Sequence, residues 1–276
     1  MTRKGFFSAL VFLLVLTMTQ ALSAKETFDH SLYDKVLHKY VDQGRVDYES
    51  LKKERRDLDL YITSLGDFDK KDYDALNHSE KIAFWINAYN AITLKVIIDH
   101  YPITRSGIAG LAFPPSSIRQ IPGAWTKIAH RVVGENVTLN KIEHEILRKE
   151  FKEPRIHMAL VCAAKGCPPL RNEAYTGSRL DAQLDDQAKT FLANSEKFRI
   201  DRASGLVNLS PIFDWFGGDF KARYEAGGPS FLKDKEKAVI GFILSYVSAE
   251  NKTFFSKDGY KIKHLGYDWS LNEKGK

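Results

Sequence analysis

Asn77-His78-Ser79-Glu80-Lys81-Ile82-Ala83-Phe84-Trp85-Ile86-Asn87-Ala88-Tyr89-Asn90-Ala91-Ile92-Thr93-Leu94-Lys95-Val96-Ile97-Ile98-Asp99-His100-Tyr101-Pro102 is the stretch on which the reading of this chain turns. Asn77 and Glu80 stand at capping-box spacing, which starts a helix at about His78. Tyr101-Pro102 stops it after His100, because proline disfavours helical backbone in the residue before it. At 100° per residue Lys81, Ala88 and Lys95 share one narrow arc, and nearly everything else is apolar. A helix apolar almost all round belongs in the middle of a fold. Asn87 and Asn90 fall on the side away from the lysines and are expected to be buried. A buried amide without partners costs about 1–3 kcal/mol. These two therefore either hydrogen-bond neighbouring backbone or orient a catalytic group or an oxyanion.

Towards the N-terminus, residues 28–66 carry helical spacing at Tyr33, Val36, Leu37 and Tyr40, then at Leu58, Tyr61, Ile62 and Leu65, with Gly44 between. These read as surface helices covering the core. Further upstream, Arg3 and Lys4 precede an apolar run from Phe6 to Met18, and small residues follow at Ala21, Ser23 and Ala24. That is the pattern of a cleaved export signal over residues 1–24. Its apolar run is shorter than the roughly 18–20 residues that a spanning helix prefers. The expectation is a periplasmic or secreted protein with no transmembrane segment after signal removal. Loss of Arg3 and Lys4 also lowers the formal charge of +6. The remaining basic residues are scattered rather than blocked, which points to a solvated exterior and to no nucleic-acid partner.

Towards the C-terminus, residues 103–125 are rich in Gly and Pro and read as a long irregular segment, of the kind used for lids and binding loops. A hairpin is expected over Ile128–Val133 and Val137–Leu139. A helix follows over Lys141–Phe151, with Asn140 and Glu143 again at capping spacing. Glu143 falls within that helix's apolar arc, and His144 lies at its edge nearer Arg148. A buried strand is read at Ile156–Val161, since a short apolar run bounded by Pro and Gly fits one. A helix over Leu180–Asn194, a hairpin over Phe198–Asp201 and Leu206–Leu209, and helices at Ser210-Pro211 and Ala238–Val247 complete the chain. The fold class is α+β: a mostly helical single domain with a small, mainly antiparallel sheet and a central buried helix. Residues 25–72 form a helical N-terminal extension packed on the domain of residues 73–276.

Five ordered blocks, read together, resemble one family. They are Phe84-Trp85-Ile86-Asn87-Ala88-Tyr89-Asn90-Ala91, Ile142-Glu143-His144-Glu145-Ile146-Leu147-Arg148, the stretch from Pro154 to Pro169, Ser210-Pro211-Ile212-Phe213-Asp214-Trp215-Phe216 with Asp219-Phe220, and Tyr267-Asp268-Trp269-Ser270-Leu271-Asn272. Together they are similar to the domain of unknown function 547 family, from about Tyr73 onward. The resemblance implies a shared fold and carries no established activity. The family's cysteine loop usually reads Cys-Gly-Ala-x-Ser-Cys-Pro, whereas Ala163 and Gly166 stand here in place of its Gly and Ser.

Cys162 and Cys167 are the only two cysteines, and several chemistries fit them. In an exported protein they can close a structural disulfide, worth ~2 kcal/mol for so short a loop. Cys162 can instead be a nucleophile for acyl transfer or for amide or ester hydrolysis, with His144 as its base and Glu143 or Asp219 orienting that base. On a strand, His157 would face away from Cys162. A metal site at Cys-x4-Cys has unusual spacing and no His-x3–5-His companion, so no metal or other cofactor is expected. The remaining possibility is two inert thiols. The catalytic candidates are thus Cys162, His144, Glu143 and Asp219, and the binding candidates Asn87, Asn90, Trp85, Cys167 and His157. Trp85, Tyr89, Trp125, Trp215 and Trp269 supply aromatic surface that either packs the core or grips an unknown small molecule or peptide. A non-catalytic envelope binding module is the rival to the enzyme.

Overall fold

The central helix runs from His78 to His100, and between Ile82 and Ile98 only Lys95 escapes burial. Asn77 accepts from the Glu80 amide while the Glu80 carboxylate accepts from the Asn77 amide, so the expected capping box is formed. The computed structural model describes residues 28–275 apart from 106 and 108. The expected signal segment, residues 1–24, lies outside the described residues.

Helices Tyr48–Lys53 and Arg56–Asp67 pack on the central helix, and Ser31–Tyr40 packs on those two. Their apolar faces (Tyr33, Leu37, Leu51, Leu58, Tyr61, Leu65) join the same hydrophobic cluster as Phe84, Ile86 and Ile97. A second cluster surrounds the helix Asp234–Tyr246 and takes in Phe213, Phe220, Phe242 and the inner side of a small sheet. Tyr267 packs against both clusters, which marks the seam between them. The result is the expected mostly helical α+β fold around a buried helix.

The expected hairpins form, as Ala129–Val132 with Glu135–Thr138 and Phe198–Asp201 with Leu206–Leu209, both antiparallel. The second gains a parallel strand, Lys261–His264, that its charged sequence conceals. The strand expected at Ile156–Val161 is a correction. Pro154–Met158 is a 3-10 helix, started by Pro154 at its first turn and by the Glu153 carboxylate, which accepts from the Arg155 amide. Proline's fixed φ favours that start, and a six-residue run does not by itself separate a strand from a buried helical turn.

His30 is buried with its Nδ1 2.8 Å from the Tyr61 hydroxyl. Burial lowers its pKa from 6.5 to about 4, against a smaller opposing pull from Asp29. The unfolded chain takes up this proton below about pH 6.5, whereas the folded chain resists it until about pH 4. Stability is therefore lost as pH falls through that window, by about 2–3 kcal/mol from this group. Urea titrations of the wild type and His30→Asn at pH 7 and pH 4.5 check it, and the variant's pH dependence is expected to be flatter.

Candidate functional site

The two buried asparagines act as backbone clamps. Asn90 Nδ2 donates to the Ala159 carbonyl at 3.0 Å, and its Oδ1 accepts from the Val161 amide at 2.9 Å. Asn87 does the same for Tyr175, at 2.7 and 2.9 Å. Both amides are spent on backbone, and neither lines the cavity described below. Trp85 is also core, its Nε1 donating to the Tyr73 hydroxyl at 2.8 Å.

The Asn90 clamp delivers the chain to Cys162. Cys162 and Cys167 are joined as a disulfide, with Cα atoms 6.3 Å apart, inside the usual range for such a bridge. The loop between them lies against the C-terminal tail. The Lys165 amide donates to Ser270 O and the Gly166 amide to Asp268 O, each at 2.7 Å, and the Asn272 amide donates to Ala163 O at 3.0 Å. This run brings the Tyr267 hydroxyl within 3.1 Å of Cys167 Sγ and 3.4 Å of Cys162 Sγ. A Cβ on Gly166 would meet the Tyr267 ring at 2.8 Å, so the absence of a side chain there is what lets the phenol lie on the loop.

Ala163 holds φ +60°, a left-handed conformation. Such backbone costs a non-glycine residue roughly 1–2 kcal/mol, while glycine loses about 0.5–1 kcal/mol more on ordering. Ala163→Gly is thus expected to raise stability by about 0.5 kcal/mol, read as an upward shift in urea midpoint at constant slope. A fall in the midpoint would contradict the strain.

Over the disulfide opens a cavity of about 460 Å³. Helix Lys141–Phe151 forms one wall, wound as a π-helix with i→i+5 bonding, a geometry frequent at functional sites. The cap expected at its start does not form: Asn140 makes no side-chain cap bond, and Glu143 instead accepts from the Tyr89 hydroxyl at 3.0 Å. Burial, then Glu143, pushes the Tyr89 phenol far up, with Trp125 donating to the same oxygen. Arg148 Nη1 lies 3.0 Å from His144 Nδ1. A guanidinium only donates, so Nδ1 accepts and the imidazole proton sits on Nε2.

Arg148 also grips Asp219 with two bonds, of 2.6 and 2.9 Å. Asp219 accepts in turn from His157 Nε2 at 2.8 Å. Burial works against ionising Asp219, but the bonds from His157 and Arg148 outweigh it and hold the carboxyl far below its ordinary range. His157 is stacked on Phe216 at 4.3 Å and 12°. The strand reading set His157 and Cys162 on opposite faces; with a 3-10 turn in its place, both border the cavity. Asp219 stands behind the wall, reaching it through His157 and Arg148.

Much of the remaining lining is aromatic. Trp215, 48% exposed, stacks on Trp269 at 6.3 Å and sits 4.9 Å from Tyr267. Trp125 meets Trp269 edge-on at 6.4 Å. The Arg119 guanidinium rests over Phe113, Trp269 and Trp125, at 4.4, 5.1 and 5.8 Å, with cation–π attraction holding it at the rim. Arg119 and Trp125 come from the long irregular segment.

Cys162, Cys167, Glu143, His144 and His157 therefore share one cavity. Sequence reasoning did not single out Arg119, Phe216 or Tyr267, although Tyr267 opens the last of the five motif blocks. Among the described residues, no group of three or more His, Cys, Asp and Glu is arranged to hold a metal.

Residues 73–192 match the model of the family described as Protein of unknown function, DUF547. That DUF547 region supplies the central helix, the π-helix wall and the disulfide floor. The aromatic wall at Trp215, Tyr267 and Trp269 lies beyond the matched residues. No curated protein and no solved structure matches the chain.

Proposed function

We propose that this protein is an exported binding module whose cavity over the Cys162–Cys167 disulfide takes a small molecule or peptide. The observation that carries the reading is the cavity itself: about 460 Å³, lined by three tryptophans together with Glu143 and His144. Mixed apolar surface with a few convergent polar groups is the usual make-up of a ligand site. Trp215 and Trp269 offer faces for an apolar or planar group. Arg119 at the rim suits an anionic group, and the His144 Nε2–H and the Glu143 carboxylate suit polar ones. Export is supported by Arg3 and Lys4 ahead of the Phe6–Met18 run.

Three of the four tryptophans border the cavity, so intrinsic fluorescence reports its occupancy. A panel of small metabolites and short peptides is expected to contain a compound that gives a saturable change. That change should persist in Trp85→Phe and need a higher ligand concentration in Trp215→Ala. A saturable signal with an unchanged midpoint in Trp215→Ala would move the site elsewhere.

A second reading is a cysteine-dependent hydrolase or acyltransferase acting on an amide or ester in the reduced state. It is favoured by Cys162, Glu143 and His144 bordering one cavity. With its proton on Nε2, His144 is arranged to donate to a leaving group rather than to deprotonate Cys162, and both sulfurs are tied in the disulfide. Reduced protein that gives no burst with activated esters, or one that survives Cys162→Ser, ends this reading.

A further inference from the structure

We infer that the Cys162–Cys167 disulfide is a thiol-exchange centre in which an entering thiolate attacks Cys162 Sγ and Cys167 leaves. The two sulfurs are not equivalent. Both border the cavity, but Cys162 is half-buried whereas Cys167 is only 4% exposed. Around Cys167 the donors are already in place: the Cys162 amide 3.0 Å from its Sγ and the Tyr267 hydroxyl at 3.1 Å. Behind it, the Lys197 ammonium, bonded to Lys165 O at 2.6 Å, borders the same small groove as Cys167. Two hydrogen-bond donors and a nearby cation stabilise a thiolate, and a stabilised thiolate is the better leaving group. Attack from the cavity therefore meets the accessible sulfur and expels the one prepared to carry charge.

The step balances as follows. A bond forms between the entering sulfur and Cys162 Sγ, the Cys162–Cys167 bond breaks, and its electron pair stays on Cys167. If the entering molecule holds a second thiol, that group attacks its own sulfur in the mixed disulfide and releases Cys162 as thiolate. The entering dithiol is then oxidised to a disulfide by two electrons, and the protein disulfide is reduced to two thiols. The substrate class is a small or peptide thiol able to enter the cavity, and the proposal needs from the ligand reading only that entry.

The test uses the oxidised full chain with N-acetylcysteine in one arm and a short cysteine-containing peptide in the other, quenched in acid and mapped by mass spectrometry. The expected product in at least one arm is a mixed disulfide on Cys162 with Cys167 free. Reaction in the peptide arm alone identifies a peptide thiol, and in both arms a small-thiol centre. Tyr267→Phe removes one donor from the leaving sulfur and is expected to slow the reaction about ten-fold. Should that variant not fold, the wild-type map still decides. Adducts on Cys167, adducts divided equally between the sulfurs, or a disulfide left intact in both arms would overturn the proposal. An intact disulfide in a protein whose tryptophans still respond to a non-thiol ligand removes this inference and leaves the binding site standing.

Discussion

Asn90→Ala is expected to cost about 2–6 kcal/mol of stability, because it strands two buried backbone groups at about 1–3 kcal/mol each. The groups are the Ala159 carbonyl and the Val161 amide, and no sheet ladder stands behind them to take over. The second consequence is local. Residues 159–161 lead directly into Cys162, so loosening them is expected to speed attack on the disulfide by external thiol. Asn87→Ala strands the equivalent groups of Tyr175 and should cost similar stability without changing that rate. Chemical denaturation and a thiol-reaction time course on both variants separate the effects. Equal thiol rates in the two variants would mean that Asn90 does not hold the cysteine loop.

Arg155→Met is expected to cost about 3–5 kcal/mol, the range for breaking a buried ion pair from one side. The Arg155 side chain is only 4% exposed and bonds Glu153, Asp181 and Asp185. It thereby ties the 3-10 turn that carries His157 to the helix Leu180–Ala193. Asp181 and Asp185 reach solvent and lose little. Glu153 is 11% exposed and keeps only Arg223 and the backbone amide of residue 155, so most of the cost falls on it. Burial alone would raise the Glu153 pKa, but its bonds with Arg155 outweigh burial and lower it. A lowered carboxyl pKa contributes stability that is present above the ordinary glutamate value and lost as pH falls through the folded value. Arg155→Met should weaken that acid dependence, so the gap between variant and wild type narrows at low pH. A gap that widens on acidification would contradict the assignment.

Where local physics decided the outcome, the chain could be read directly. The Asn77–Glu80 box, the Tyr101-Pro102 stop and the nearly all-round apolar surface place the central helix to the residue. Ser210 ahead of Pro211 likewise starts its helix by capping the Ile212 amide. The failures have specific causes. Ile156–Val161 is too short for periodicity to distinguish strand from 3-10 turn, and the buried Arg155 just before it is explained by Glu153 together with Asp181 and Asp185 from a distant helix. Lys261–His264 has the charged, exposed look of a loop because it is a sheet edge. Glu143 has capping spacing, yet its carboxylate is taken by Tyr89, 54 positions away. Most of the cavity arises this way. Tyr267 reaches the sulfurs because backbone bonds lay the tail along the cysteine loop, a pairing that neither segment signals alone.

The central claim is that a closed disulfide floors an aromatic cavity, and counting thiols tests it most directly. Protein purified without reductant from an oxidising compartment is treated with a thiol-specific chromophore, first native, then unfolded, then unfolded after reduction. The account predicts no reactive thiol in the first two samples and two in the third. One or two thiols reacting in the native protein, or in the unfolded protein before reductant, would contradict it.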